Sequence, residues 1–139
     1  MGSGGKLVIP ASIRKELAAA AKSASPIEAC GLQAGKGNSV EKFYPLTNGD
    51  ASPEHFSLVP AEQFAAVKDM RKHGLAMLSI WHSHPASPAR MSEEDLRLAY
   101  TPDVVYTILS LAAPEDESLR GYLINGGAQE RVEIEIENG

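Results

Sequence analysis

Within Trp81-His82-Ser83-His84-Pro85 two histidines stand one residue apart, and Ser92 and Asp95 follow eight and eleven residues after the second. Neutral imidazole nitrogens and a carboxylate oxygen are ligands that zinc accepts, and three protein ligands leave a fourth position for water. Residues i and i+2 of a strand point to the same face, so His82 and His84 can reach one ion while Ser83 faces the other way. Asp95 must come from another element. The segment Ser92-Glu93-Glu94-Asp95 reads as the start of a helix, with Ser92 at the N-cap and acidic residues in the first turn. A carboxylate there is held in its ionised, ligating form by the positive end of the helix dipole. The same residues also make sense as an ordinary cap, and a lone His-x-His is a weak signal. The coincidence of strand, proline loop and cap in one short segment favours a site.

Metal-assisted hydrolysis is helped by a general base. Glu28, in Ser25-Pro-Ile-Glu28-Ala-Cys30-Gly-Leu32, heads an otherwise small and apolar stretch. A charged residue there suits an exposed or functional strand end better than a core position.

The elements that must carry these residues follow from periodicity and punctuation. Residues 6–10 form a short apolar strand, and 11–22 a helix with Ile13, Leu17, Ala20 and Ala21 on one stripe behind Pro10. Residues 28–34 and 40–46 form a hairpin across Gly35-Lys-Gly37-Asn38. Residues 48–57 are a polar, proline-bearing loop. A second helix spans 61–72, with Phe64, Val67 and Met70 as its stripe and Gly74 as its stop. The run Leu75 to Trp81 is nearly all apolar, the mark of a central strand covered on both faces, and delivers His82 at its end. A third helix covers 92–100. Residues 104–111 are rich in β-branched residues, 120–124 form another strand, and 130–137 alternate like a one-sided or edge strand.

The expected fold is therefore α+β (mixed α/β), one central and mostly antiparallel sheet flanked by helices. It forms a single domain over residues 6–139, after a flexible leader or expression remnant at 1–5.

Composition narrows the function classes. The chain of 139 residues carries 43% apolar and 22% charged residues, as soluble globular domains do. A net charge of -5 argues against a general nucleic-acid binder. One cysteine, Cys30, allows neither an internal disulfide nor a cysteine zinc finger, and a cytoplasmic location is the expectation. No apolar run approaches the ~18–20 residues that span a bilayer. Nothing in the pattern sets the oligomeric state.

Glu28-Ala-Cys30-Gly31-Leu32, followed by His82-Ser83-His84-Pro85, six residues, Ser92, two residues and Asp95, resembles the JAMM (MPN-plus) zinc metallopeptidases in every position of their motif. The resemblance runs from about Lys6 to Glu137 and points to the compact, stand-alone prokaryotic branch. It implies a JAMM/MPN fold with cytidine-deaminase-like architecture. It also implies one zinc ion on His82, His84 and Asp95 with a water as fourth ligand, Glu28 activating that water and Ser92 hydrogen-bonding the oxyanion. The implied activity is hydrolysis of a peptide or isopeptide bond after the C-terminal glycine of a ubiquitin-like or sulfur-carrier protein. No nucleic acid or membrane is expected as partner.

Two other readings compete. A non-catalytic MPN scaffold or binding module would share the fold but usually lacks ligands, and none is missing here. A cysteine hydrolase would use Cys30, which reads more simply as a small buried strand residue. His55 and His73 read as solvated, and Trp81 as core or pocket wall. The loop from Asn48 to Phe56 is expected to border the cleft.

Overall fold

The structure is a computed structural model that describes residues 5–99, 101–126 and 128–138. The first four residues of the expected leader and Tyr100, the expected end of the third helix, lie outside the described residues.

Strand β1 (Lys6–Pro10) leads directly into α1 (Ala11–Ala24), with Pro10 at the helix N-cap at φ -59°. Ile13, Leu17 and Ala21 recur at four-residue spacing and are buried against Leu7, Ile9, Trp81, Val105, Leu109 and Val132. Strands β2 (Cys30–Lys36) and β3 (Ser39–Leu46) form a hairpin whose turn uses the left-handed Gly37 at φ 61°. Helix α2 (Pro60–Lys72) precedes the long β4 (Ala76–His84). The short α3 (Glu93–Leu98) precedes β5 (Val105–Ser110), β6 (Leu119–Asn125) and β7 (Ala128–Glu137).

Two expectations change here. The strands close into a barrel in the order β1-β3-β2-β4-β5-β6-β7, and the pairs β4–β5, β1–β7 and β1–β3 are parallel. The sheet is thus a closed mixed sheet, not the simple mostly antiparallel one expected. Strand β7 is no edge: it pairs with β6 on one side and with β1 on the other, from Lys6↔Glu133 to Pro10↔Glu137. Its alternation correctly reports one buried and one wet face, but that pattern is the same for an interior strand. Hydrogen-bonding neighbours leave no mark on side-chain periodicity.

The α2 stripe also differs. Ala66 and Met70 are buried, while Phe64 is 67% exposed, with the Lys68 ammonium over its ring. The helix seats itself through the smaller Ala66, which turns Phe64 outward.

The faces of β4 and β5 divide the core. Trp81 and Leu109 pack under α1, while Ile80 and Ile108 join Leu32, Met70, Met91 and Tyr106 on the other side. The metal-motif histidines continue the second face.

Candidate metal centre

β4 does not end at His82 as expected but runs through His84, its last residues paired in register with β5 as His82↔Ile108 and His84↔Ser110. Both rings therefore start from rigid, hydrogen-bonded backbone. They are 1% and 3% exposed, and their Nε2 atoms stand 3.1 Å apart. His84 Nδ1 lies 2.8 Å from the Pro88 carbonyl. A carbonyl only accepts, so Nδ1 carries the proton and a neutral His84 presents a bare Nε2 lone pair to the site.

Ser92 and Asp95 form a capping box at the start of α3. Ser92 Oγ accepts from the Asp95 N–H, and Asp95 Oδ2 accepts from the Ser92 N–H, each at 3.0 Å. The box aims Asp95 Oδ2 at the histidines, 3.2 Å from His82 Nε2 and 3.1 Å from His84 Nε2.

Three donor atoms thus make a nearly equilateral triangle. Ligands ~2.0–2.1 Å from a tetrahedral zinc stand roughly 3.3 Å from one another, so the triangle has the size of one face of such a shell. The chemistry of the atoms agrees, because Asp95 Oδ2 and the bare His84 Nε2 are both acceptors and repel unless a proton, as on His82 Nε2, or a cation sits among them. The two nitrogens and one oxygen fit zinc. Burial works against a charged His84, but hydrogen bonds to Asp95 and the Pro88 carbonyl and the charges of Asp95 and Glu28 outweigh it and raise its pKa. The site therefore favours positive charge. Burial tends to raise the Asp95 pKa, yet the two histidines and the Ser92 N–H hold it far below the carboxylate range. His82, wholly buried, is pushed down by burial and stays neutral.

Glu28 is 3% exposed, with Oε2 3.9 Å from His84 Nε2. It lies before β2, not in the strand as expected. Ser83 reaches from the back of β4 to the next residue: its Oγ accepts from the Ala29 N–H at 2.8 Å, and its own N–H donates to the Ala29 carbonyl. The residue between the histidines thus ties the segment that carries Glu28 to their strand. Glu28 Oε1 is buried with no hydrogen-bond partner among the described residues, and burial pushes the carboxyl up to about 8. Glu28, His82 and His84 also offer donor atoms within 4.8 Å of one another. Asp95 stands closer to both rings than Glu28 does to His84.

His82 and Asp95 line a cleft of about 360 Å³, walled by Phe56, Leu58, Ile80, Met91, Leu98 and Tyr106. The loop expected at the border is there, contributing His55 to Leu58. Phe56 goes further and stacks on His82, ring centres 4.7 Å apart and planes inclined by 26°. Sequence reasoning missed this role. The available signal was a single large aromatic in an otherwise polar loop.

The other residues fall away from the centre. Trp81 is fully buried on the opposite face against Phe43, so it is core and not pocket wall. Cys30 is 1% exposed, its thiol is pushed up to about 12 by burial, and its Sγ faces the Leu46 carbonyl. His73 is at the surface against its own helix, and His55 is only half-exposed at the cleft, paired with Asp50.

Prokaryotic homologs of the JAB domain match residues 10–122 of the chain. The chain belongs to this family. The JAB domain here is 36% identical over 124 residues to the CysO-cysteine peptidase of Mycobacterium tuberculosis, covering 88% of this chain and 85% of that one. It is 36% identical over 94 residues to a probable TtuB-protein conjugate cleaving protease of Thermus thermophilus, covering 67% and 63%. Among solved structures, protein DSY2949 from Desulfitobacterium hafniense superposes with a TM-score of 0.87 at 46% identity, covering 96% and 94%. AF2198, a JAB1/MPN domain protein from Archaeoglobus fulgidus, superposes with a TM-score of 0.66 at 26% identity, covering 96% and 100%. The JAB domain is thus of the compact prokaryotic JAMM/MPN kind, and none of its described helices is long and apolar enough to cross a membrane.

Proposed function

We propose that this JAB domain is a zinc-dependent peptidase or isopeptidase that hydrolyses the amide bond after the C-terminal glycine of a ubiquitin-like or sulfur-carrier protein. The observation that carries it is the triangle of His82 Nε2, His84 Nε2 and Asp95 Oδ2, with the raised carboxyl of Glu28 beside it. The similarity to a CysO-cysteine peptidase and a TtuB-protein conjugate cleaving protease supports the substrate class. The proposed compartment is the cytoplasm.

His82, His84 and Asp95 hold one zinc ion, which supplies Lewis acidity and acidifies water. Glu28 Oε2 takes the proton from the attacking water. The Ser92 hydroxyl, whose oxygen already accepts from the Asp95 N–H, keeps its own proton free to donate to the developing oxyanion. Glu28 then passes the proton to the departing amine, so the carboxyl ends as it began. The apolar walls and Phe56 limit solvent at the reacting carbonyl.

A non-catalytic scaffold is disfavoured because all five residues are present. A cysteine hydrolase is disfavoured because a buried thiol with a pKa near 12 is a poor nucleophile. The test measures zinc content and cleavage of a sulfur-carrier protein fused through its C-terminal glycine, for the parent, Glu28→Gln and His84→Ala. The parent is expected to bind zinc and cleave, Glu28→Gln to bind zinc without cleaving, and His84→Ala to lose zinc. A parent without zinc, or Glu28→Gln with full turnover, would refute the proposal.

A further inference from the structure

Ser83 of β4 holds Ala29, but the N–H and carbonyl of Glu28 itself, which precedes β2, are held by the loop between β3 and α2. Its N–H donates to the Ser52 carbonyl at 2.9 Å, and its carbonyl accepts from Asn48 Nδ2 at 3.0 Å. The same loop carries Phe56 onto His82. One segment therefore touches both the base and a donor ring of the triangle.

Asn48 is the hub of that segment. It is 9% exposed, although it lies at the start of a polar loop. Its Nδ2 also donates to the His55 carbonyl at 3.0 Å, with the Ser52 carbonyl sharing these two protons at 3.4 Å, and its Oδ1 accepts from the N–H groups of Asp50 at 2.9 Å and Ser57 at 3.3 Å. Asn48 also forms an isolated antiparallel bridge to Leu58, which closes the loop on itself. Only an amide offers donors and an acceptor at this reach; a carboxylate would place charge against three carbonyls, and a hydroxyl is too short.

We infer that Asn48 is a positioning residue of the reaction, holding Glu28 and the Phe56–His82 stack in mutual register through one side chain. Its side chain bonds only to the backbone of Glu28 and of its own loop, so it acts through the groups it fixes. The inference rests on the proposed peptidase reading. Groups that orient ligands and bases from behind commonly change metal affinity or activity by about 10–100-fold when removed.

The experiment measures kcat and KM on the sulfur-carrier fusion at saturating zinc, and the zinc dissociation constant by chelator competition, well below each Tm. The variants are Asn48→Asp, which keeps the acceptor and removes the donors, Asn48→Ala, Glu28→Gln, and Leu17→Ala as a destabilised control in the core cluster on the α1 side of the sheet. Both Asn48 variants are expected to lose about 10–100-fold in kcat, more than KM changes, with weaker zinc binding. Leu17→Ala is expected to lower Tm and leave kcat unchanged. Asn48 variants with parental kcat, or with no greater loss than Leu17→Ala, would overturn the inference, whichever way zinc affinity moves. If Glu28→Gln is inactive, that failure is of the inference alone; if Glu28→Gln is fully active, the peptidase reading fails with it. Should neither Asn48 variant fold, amide exchange in the parent decides. A Glu28 N–H as protected as the barrel strands supports the brace, and loop-like exchange overturns it.

Discussion

Ser92 and Asp95 hold each other twice, Oγ to N–H and N–H to Oδ2, both at 3.0 Å. Capping and chemistry are therefore not rivals for one hydroxyl. The cap uses the oxygen as acceptor; the proposed oxyanion contact uses the proton.

That division of labour can be separated by substitution. Ser92→Asp keeps an acceptor for the Asp95 N–H but offers no hydroxyl proton. It is expected to unfold near the parent's Tm while turnover falls about 10²–10³-fold. Ser92→Ala should lose both, with about 1 kcal/mol of stability gone. Thermal denaturation beside cleavage kinetics checks the pair, and full turnover in Ser92→Asp would remove Ser92 from the chemistry.

Glu28 is expected to cost the metal-free protein stability. Its ordinary carboxyl value is 4.5 and burial lifts it to about 8, so ionising it is harder folded than unfolded. The penalty is absent below pH 4.5, grows as pH rises, and is complete above about 8. In chelator, Glu28→Gln should therefore raise Tm over the parent, by most at pH 8 and least at pH 4.5. Added zinc should narrow the gap, since a neighbouring cation stabilises the carboxylate.

Asp69 works in the opposite sense. Hydrogen bonds from Lys42 at 2.8 Å and Tyr44 at 2.5 Å hold its carboxyl at about 2, below the ordinary 3.8, and tie β3 to α2. Its stabilisation is complete above pH 3.8 and is lost as pH falls through about 2. Asp69→Asn should flatten the acid limb of the stability curve between those values. A parallel limb in the variant would show that other carboxyls set it.

Gly31 lies where two strands leave no room for a side chain. A Cβ there would collide with the Tyr44 carbonyl oxygen and come within 2.7 Å of Phe43 Cε1. Gly31→Ala is expected to lose about 1–3 kcal/mol in denaturant unfolding. Loss of zinc affinity should follow, because β2 pairs Gly31 with Trp81, next to His82.

How much of this was legible in the sequence depended on range. His82 and His84 could be read onto one face because strand periodicity is local, and Ser92 with Asp95 because a cap is a four-residue signal. Glu28 stood out chemically, but its position outside β2 did not, since only the later loop decides where its backbone bonds go. Phe56 and Asn48 were invisible as site-builders for the same reason: their roles exist only once the loop is folded. The parallel pairs of β1 were out of reach because no short pattern encodes a partner at the other end of the chain.

That strand has a kinetic consequence. β1 leaves the ribosome well before its partner from Glu133 to Glu137, with every other strand of the ring made in between. Until then Leu7 and Ile9, which seal the core beneath α1, have no neighbouring strand on that side. Closure of the ring is therefore a late, long-range event of the slow kind that non-local pairing imposes. A nascent chain stalled before β7 would hold both metal-motif histidines while its barrel still gaped beside β1.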